Sequence, residues 1–271
     1  MKGLFKYCFL PLLFLSGFVK AQQDSSFVFL KSVKGDIVDF AVDNMDNLYL
    51  FNSTDQLKKI SAGGDSVAVF NDVRKFGKVS YADVSNPLRV LLYFRNFSTI
   101  VILDRLLNIR STIDLRKQNI FQVQAIGLSY DNNIWLYDEL DNKLKKIDET
   151  GKLLLETPDF RQLFDDVPSP QRIYDEDGLV YLYDKQKAIY VFDYYGSLRN
   201  KILITGWDNF KVVGRSVLGT TGNSMNRYRI DLFRIYDEQM PDAVRGFKKV
   251  EFTPTKFYAL KENEIEVYRF Q

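Results

Sequence analysis

The sequence predicts an all-β chain: a six-bladed β-propeller of four-stranded antiparallel blades, its ring closed by the N-terminal strand completing the last blade. Three observations carry this. The stretch 133–155, NIWLYDELDNKLKKIDETGKLLL, reads as strand, polar turn, strand, glycine turn, strand; it recurs over 47–70 and 179–204, with a degraded copy over 90–115. Self-similarity at this period marks a solenoid, a propeller or an array. The third strands of these units end at Ser61, Asp104, Asp148 and Asp193, spaced 43, 44 and 45 residues. The second strands, 48–51, 90–93, 134–137 and 180–183, are apolar almost throughout. A strand without alternation is buried on both faces, as the inner strands of a blade are when sandwiched between neighbours.

The first residues stand apart from this pattern. Lys2 and Lys6 precede a short apolar run, Tyr7 to Phe18, and Val19-Lys20-Ala21 offers a cleavage site. This reads as a secretory signal peptide over 1–21, too short to span a bilayer. The only cysteine, Cys8, lies too early to be a lipid-anchor cysteine. The expected mature chain, 22–271, is one propeller domain in the periplasm of a bacterium. It has 34 basic residues once Lys2, Lys6 and Lys20 leave the 37, against 35 acidic ones, a net charge of −1. That balance gives no reason to expect a nucleic-acid partner. No second apolar segment is long enough to cross a membrane.

Within each unit the strands are bounded by Asn, Asp, Gly and Ser, the punctuation of antiparallel hairpins. Ser61, Asp148 and Asp193 are each followed three residues later by Gly64, Gly151 and Gly196. Glycine supplies the positive φ of a tight hairpin, and the preceding Ser or Asp bonds the turn backbone. In the second unit Asn108 is expected to take that conformation. The fifth unit is weaker, with strands expected over 210–213, 215–221 and 227–235 and a polar loop over 237–246. The sixth offers three strands, 250–252, 257–261 and 265–270; the segment 26–33 is expected to complete it and remove the open sheet edges. Six units of about 42 residues fit the expected mature length; five or seven blades are weaker alternatives.

At Val42–Ser61, Tyr130–Asp148 and Tyr174–Asp193 the chain resembles the NHL and YncE/YVTN-type propeller repeats. Their shared pattern is acid, turn, Asn or Gly, aliphatic–aromatic–aliphatic strand, polar turn and basic–aliphatic strand. The resemblance covers about half of the mature chain and implies a blade geometry and a general binding role, with no chemistry attached.

The composition also excludes chemistry. There is no histidine, and Cys8 leaves with the leader. Ser-His-Asp and Cys-His catalysis, His-ligated zinc and thiolate nucleophiles are therefore ruled out. Paired carboxylates remain, but Asp43, Asp46, Asp131, Asp138, Asp141, Asp175, Asp177 and Asp184 recur at equivalent positions, as turn residues do. The segment 129–135 is similar to the Asp-box turn of sialidase-like propellers, but lacks its Gly and is one residue short. Asp175-Glu176-Asp177-Gly178 lacks the later ligands of a calcium loop. Asn52-Ser53-Thr54 and Asn96-Phe97-Ser98 fit a glycosylation acceptor pattern that arises often by chance. No catalytic residue, metal ligand or cofactor is assigned.

Two stretches break the repeat. In 158–171, Asp159 is expected to cap a short helix within a long crossover between blades. In 205–249, Trp207, Arg215, Arg227, Tyr228, Arg229 and Arg234 have the composition of a protein-interface hot spot; the competing reading makes the aromatics the core of an eroded blade. The favoured function is a non-enzymatic periplasmic interaction module whose partner is an outer-membrane or secretion-complex protein. One specific version is an accessory or plug subunit of a type IX-like translocon. The alternative is a cation-dependent hydrolase, glycosidase or lactonase-like, using carboxylates in the central channel. A small-molecule or peptidoglycan-associated sensor ranks last.

Overall fold

A computed structural model describes residues 27–270; the expected leader and Ser26 lie outside the described residues. The strands form six antiparallel four-stranded sheets. Blades 1 to 5 cover 39–70, 81–114, 123–156, 172–202 and 208–239, each a simple meander from the innermost strand outward. Blade 6 takes its three inner strands from 249–270 and its outermost strand from Phe27–Lys34. Phe27 pairs with Phe270 and Lys34 with Glu264, so the N-terminal strand closes the ring as the sequence predicts.

The apolar core is divided into six wedges, one in each seam between neighbouring blades. This explains the unbroken apolar second strands: Ile134, Trp135, Leu136 and Tyr137 are all buried, odd and even positions serving opposite seams. The crossover between blades 3 and 4 adds to a wedge. Asp159 accepts a hydrogen bond from the Arg161 amide at 2.8 Å and caps the helical turn Phe160–Leu163. That turn drives Phe160 into the seam, stacked on Phe192 at 5.3 Å. Polar links fasten the closing seam: Asp46 of blade 1 accepts from Lys256 at 2.5 Å and from the Tyr258 hydroxyl at 2.6 Å, both in blade 6.

The outer hairpins of blades 3 and 4 follow the expected chemistry. Asp148 and Asp193 each accept two backbone amides, and Gly151 and Gly196 take φ of +91° and +80°. Two expectations are corrected. In blade 2 the left-handed residue is Leu107, φ +60°, and not Asn108. Asn108 instead binds the Asp104 carboxylate through its amide and side chain, while Leu107 is buried in the seam between blades 1 and 2, and that burial offsets the cost of its conformation. In blade 5 the expected strand 227–235 is two strands, Ser224–Arg229 and Arg234–Gln239, joined by a turn in which Phe233 has φ +51°. The expected polar loop 237–246 accordingly begins as strand and continues as a 3-10 turn, Asp242–Val244. Arginine, tyrosine and isoleucine on both sides of the turn hid it, because no glycine or asparagine marks it.

Candidate functional site

In blades 1 to 4 the pairing of third and outermost strands slips by one residue, at Lys59/Ile60, Ile102/Leu103, Lys146/Ile147 and Val191/Phe192. Blade 6 has a slip at Phe29/Lys31. Such bulges twist an edge strand away from pairing with another chain. Blade 5 has none: six residue pairs run in unbroken register from Ser224↔Gln239 to Arg229↔Arg234. Its outermost strand is therefore a flat edge. At its turn end that edge carries exposed Leu232, Phe233, Ile235 and Tyr236, with Phe233 75% and Ile235 52% accessible.

The residues singled out in the sequence divide around this edge. Trp207 and Tyr228 are buried in the wedge between blades 4 and 5. The Tyr183 hydroxyl both donates to the Trp207 carbonyl and accepts from the Trp207 amide, each at 2.9 Å. A Cβ added at Gly219 would meet the Trp207 ring at 2.9 Å, which is why the third residue from the end of that strand is glycine. These two aromatics are thus core, and the sequence expectation that they face a partner is corrected. The arginines are peripheral. Arg215 and Arg234 are exposed; Arg229 pairs with Asp231 at 2.8 Å; Arg227 lies over the Phe270 ring at 5.1 Å. The sequence missed Leu232, Phe233, Ile235 and Tyr236, although their clustering without a polar partner on alternate positions was the available signal.

The acids hold turns and seams. Asp43 accepts the Met45 and Asn47 amides, Asp138 the Leu140 amide and Asp184 the Gln186 amide. Asp175 accepts from the Ser129 hydroxyl, the Trp135 indole and the Tyr194 hydroxyl at 2.8, 3.0 and 2.6 Å, tying blade 4 to blade 3. Asp131 pairs with Lys146, whose ammonium sits over the rings of Tyr130, Trp135 and Tyr194. Among the described residues no group of three or more Asp and Glu is placed to hold a metal ion, and no helix is long and apolar enough to cross a membrane.

The innermost strands line the axial channel. In blades 4 and 6 Arg172 and Tyr174 flank buried Ile173, and Lys249 and Glu251 flank buried Val250, the period of two expected of a strand. Lys249 pairs with Asp39 at 2.9 Å and Glu251 at 3.3 Å, and Lys211 reaches Glu251 at 3.4 Å. Burial pushes the Lys249 ammonium down, but Glu251 and Asp39 outweigh it and hold its pKa above the ordinary value. Glu176 is raised by burial, against the Gly214 amide it accepts at 3.0 Å. These carboxylates are engaged by lysines or backbone, and no two form a free pair.

The chain is similar to solved propellers. Virginiamycin B lyase from Staphylococcus aureus, solved with quinupristin, matches at TM-score 0.61 and 13% identity over 90% of this chain and 100% of that one. The Pan2 WD40 domain of Neurospora crassa matches at 0.60 and 9%, over 90% and 95%. BamB from Moraxella catarrhalis matches at 0.52 and 11%, over 90% and 98%. The likeness is one of fold. No family model matches the chain, and no curated protein does.

Proposed function

We propose that this chain is an exported, non-enzymatic propeller that docks onto an envelope protein through the outer edge of blade 5. The observation that carries the reading is the unbulged edge strand Arg234–Gln239 with exposed Leu232, Phe233, Ile235 and Tyr236 at its turn end. An unbulged edge with an apolar end invites strand addition or apolar docking by another chain. Phe233 adds weight: a bulky residue at positive φ costs about 1 kcal/mol or more, and here it is exposed, with no burial to offset that cost. Arg215 and Arg234 nearby supply the charged rim common around interface anchors.

On this reading the leader expected over 1–21 directs the chain to the periplasm, and the partner is an outer-membrane or secretion-complex protein, with a translocon of the type IX kind as the specific candidate. The NHL or YncE-type repeat remains the family reading within this proposal. The inference of no enzymatic role draws on composition: a histidine-to-alanine substitution leaves virginiamycin B lyase catalytically inactive, and this chain has no histidine. The test is capture of partners by the tagged protein from detergent-solubilised envelopes, followed by amide exchange on the purified complex. Slowed exchange in 232–239 is the expected result. Protection elsewhere with none on this edge would refute the docking surface.

A further inference from the structure

We propose that the waist of the axial channel binds a small carboxylate, gripped by the Arg172 guanidinium and the Tyr81 hydroxyl. The site lies on innermost strands, whereas the docking edge of blade 5 is an outermost strand, and the inference does not rest on the docking reading. Arg172 opens the innermost strand of blade 4. It lines both of two cavities along the axis, of about 750 and 400 Å³, which share Asp39, Tyr174, Lys249 and Glu251 as well. Arg172 thus stands where the two spaces meet, reachable by solvent yet deep in the ring.

The charges at this waist are unequally satisfied. Lys249 and Lys211 are paired with Asp39 and Glu251 as described. Arg172 has no carboxylate partner among the described residues: Nη1 donates to the Gln171 carbonyl at 2.9 Å, and the group lies over the Tyr81 ring at 5.2 Å. The rest of its five-donor fork has no acceptor among the described residues. The Tyr174 hydroxyl is occupied, donating to the Phe210 carbonyl at 2.7 Å, whereas the Tyr81 hydroxyl has no hydrogen-bond partner among the described residues. An always-charged planar fork stacked on one tyrosine, with a free hydroxyl beside it, matches the two oxygens of a carboxylate.

The surrounding charges select the ligand. Asp39 and Glu251 near Arg172 repel a multiply charged anion, which favours a single carboxylate over phosphate or a tricarboxylate. Ala82, Val213 and Pro254 on the wall of the smaller cavity offer contact to an apolar body. The ligand class is therefore a short monocarboxylic acid with an aliphatic tail.

The probe is hexanoate, titrated into the full chain and followed by calorimetry and by the Arg172 side-chain Nε–Hε resonance. Saturable binding with a shift of that resonance is expected. It should weaken about tenfold or more in Arg172→Gln and several-fold in Tyr81→Phe, with no response to 1-hexanol and no competition from inorganic phosphate. Tyr81→Phe keeps the ring, so it remains informative if Arg172→Gln folds poorly. Absence of saturation in the wild type, an equal response to 1-hexanol, or undiminished affinity in both variants overturns the proposal. Binding lost in Arg245→Gln but kept in Arg172→Gln would place the anion at the channel mouth and overturn it equally.

Discussion

Blades 4 and 5 share one plan, four antiparallel strands with a buried second strand, yet they treat their outer edges in opposite ways. Blade 4 ends its third strand at Asp193, turns at Gly196 with φ +80°, and slips its register between Val191 and Phe192. Blade 5 turns through Phe233 at φ +51° and keeps its third and outermost strands in unbroken register. The Asp–x–x–Gly turn therefore does more than reverse the chain. In blades 3 and 4 it accompanies the bulge that blunts the edge, and blade 5 lacks both the turn and the bulge.

The contrast can first be broken at the core. If blade 5 differs only at its rim, its interior should matter as much as any other. Trp207→Ala should cost about 3–5 kcal/mol, as should Phe160→Ala in the seam between blades 3 and 4, both measured by denaturant unfolding. At equal folded concentration, Trp207→Ala should bind a partner as the wild type does. A loss of binding with unchanged stability would return Trp207 to the interface.

Alkali should separate the two blades next. Burial raises the Tyr181, Tyr183 and Tyr190 hydroxyls of blade 4 to about 12. A raised folded pKa gives stability that is fully present below the unfolded value near 10 and is lost as pH rises through the folded one. In blade 5 burial raises Tyr228 as well, but it is the sole buried tyrosine there. Unfolding should therefore steepen above about pH 10, with amide exchange accelerating in 179–193 before 216–229.

The turns give a smaller pair of effects with opposite signs. Gly196→Ala should destabilise by about 1–2 kcal/mol, since its Cβ would meet Thr157 Cγ2 at 3.1 Å in a left-handed backbone. Phe233→Gly should leave the free chain as stable or stabilise it by up to about 1 kcal/mol, while weakening the complex. Thermal unfolding of both variants checks the signs.

How much of this the sequence shows depends on whether a feature repeats. Blade geometry is legible because Asp148–Gly151 and Asp193–Gly196 recur at fixed spacing, and because strands such as 134–137 are apolar on both faces. Ring closure by 27–34 is legible because that segment has no unit of its own. Blade 5 is not, since Arg229–Arg234 turns without glycine or asparagine and reads as one long strand. The channel is not either: Arg172, Lys211, Lys249 and Glu251 look like ordinary alternating strand charges until the ring brings their three blades to one axis. Burial of Trp207 and Tyr228 likewise follows from the seam, which composition does not specify.

The central claim is tested most directly by comparing two single charges on exposed outer strands. Ile235→Lys places an ammonium on the flat edge of blade 5; Val69→Lys does the same on the bulged edge of blade 1, where Val69 is also exposed. Both should change stability by no more than about 0.5 kcal/mol. In capture from solubilised envelopes, the wild type and Val69→Lys should retain the same stoichiometric partner and Ile235→Lys should lose it. Retention by Ile235→Lys, or equal loss in both variants, would contradict the account.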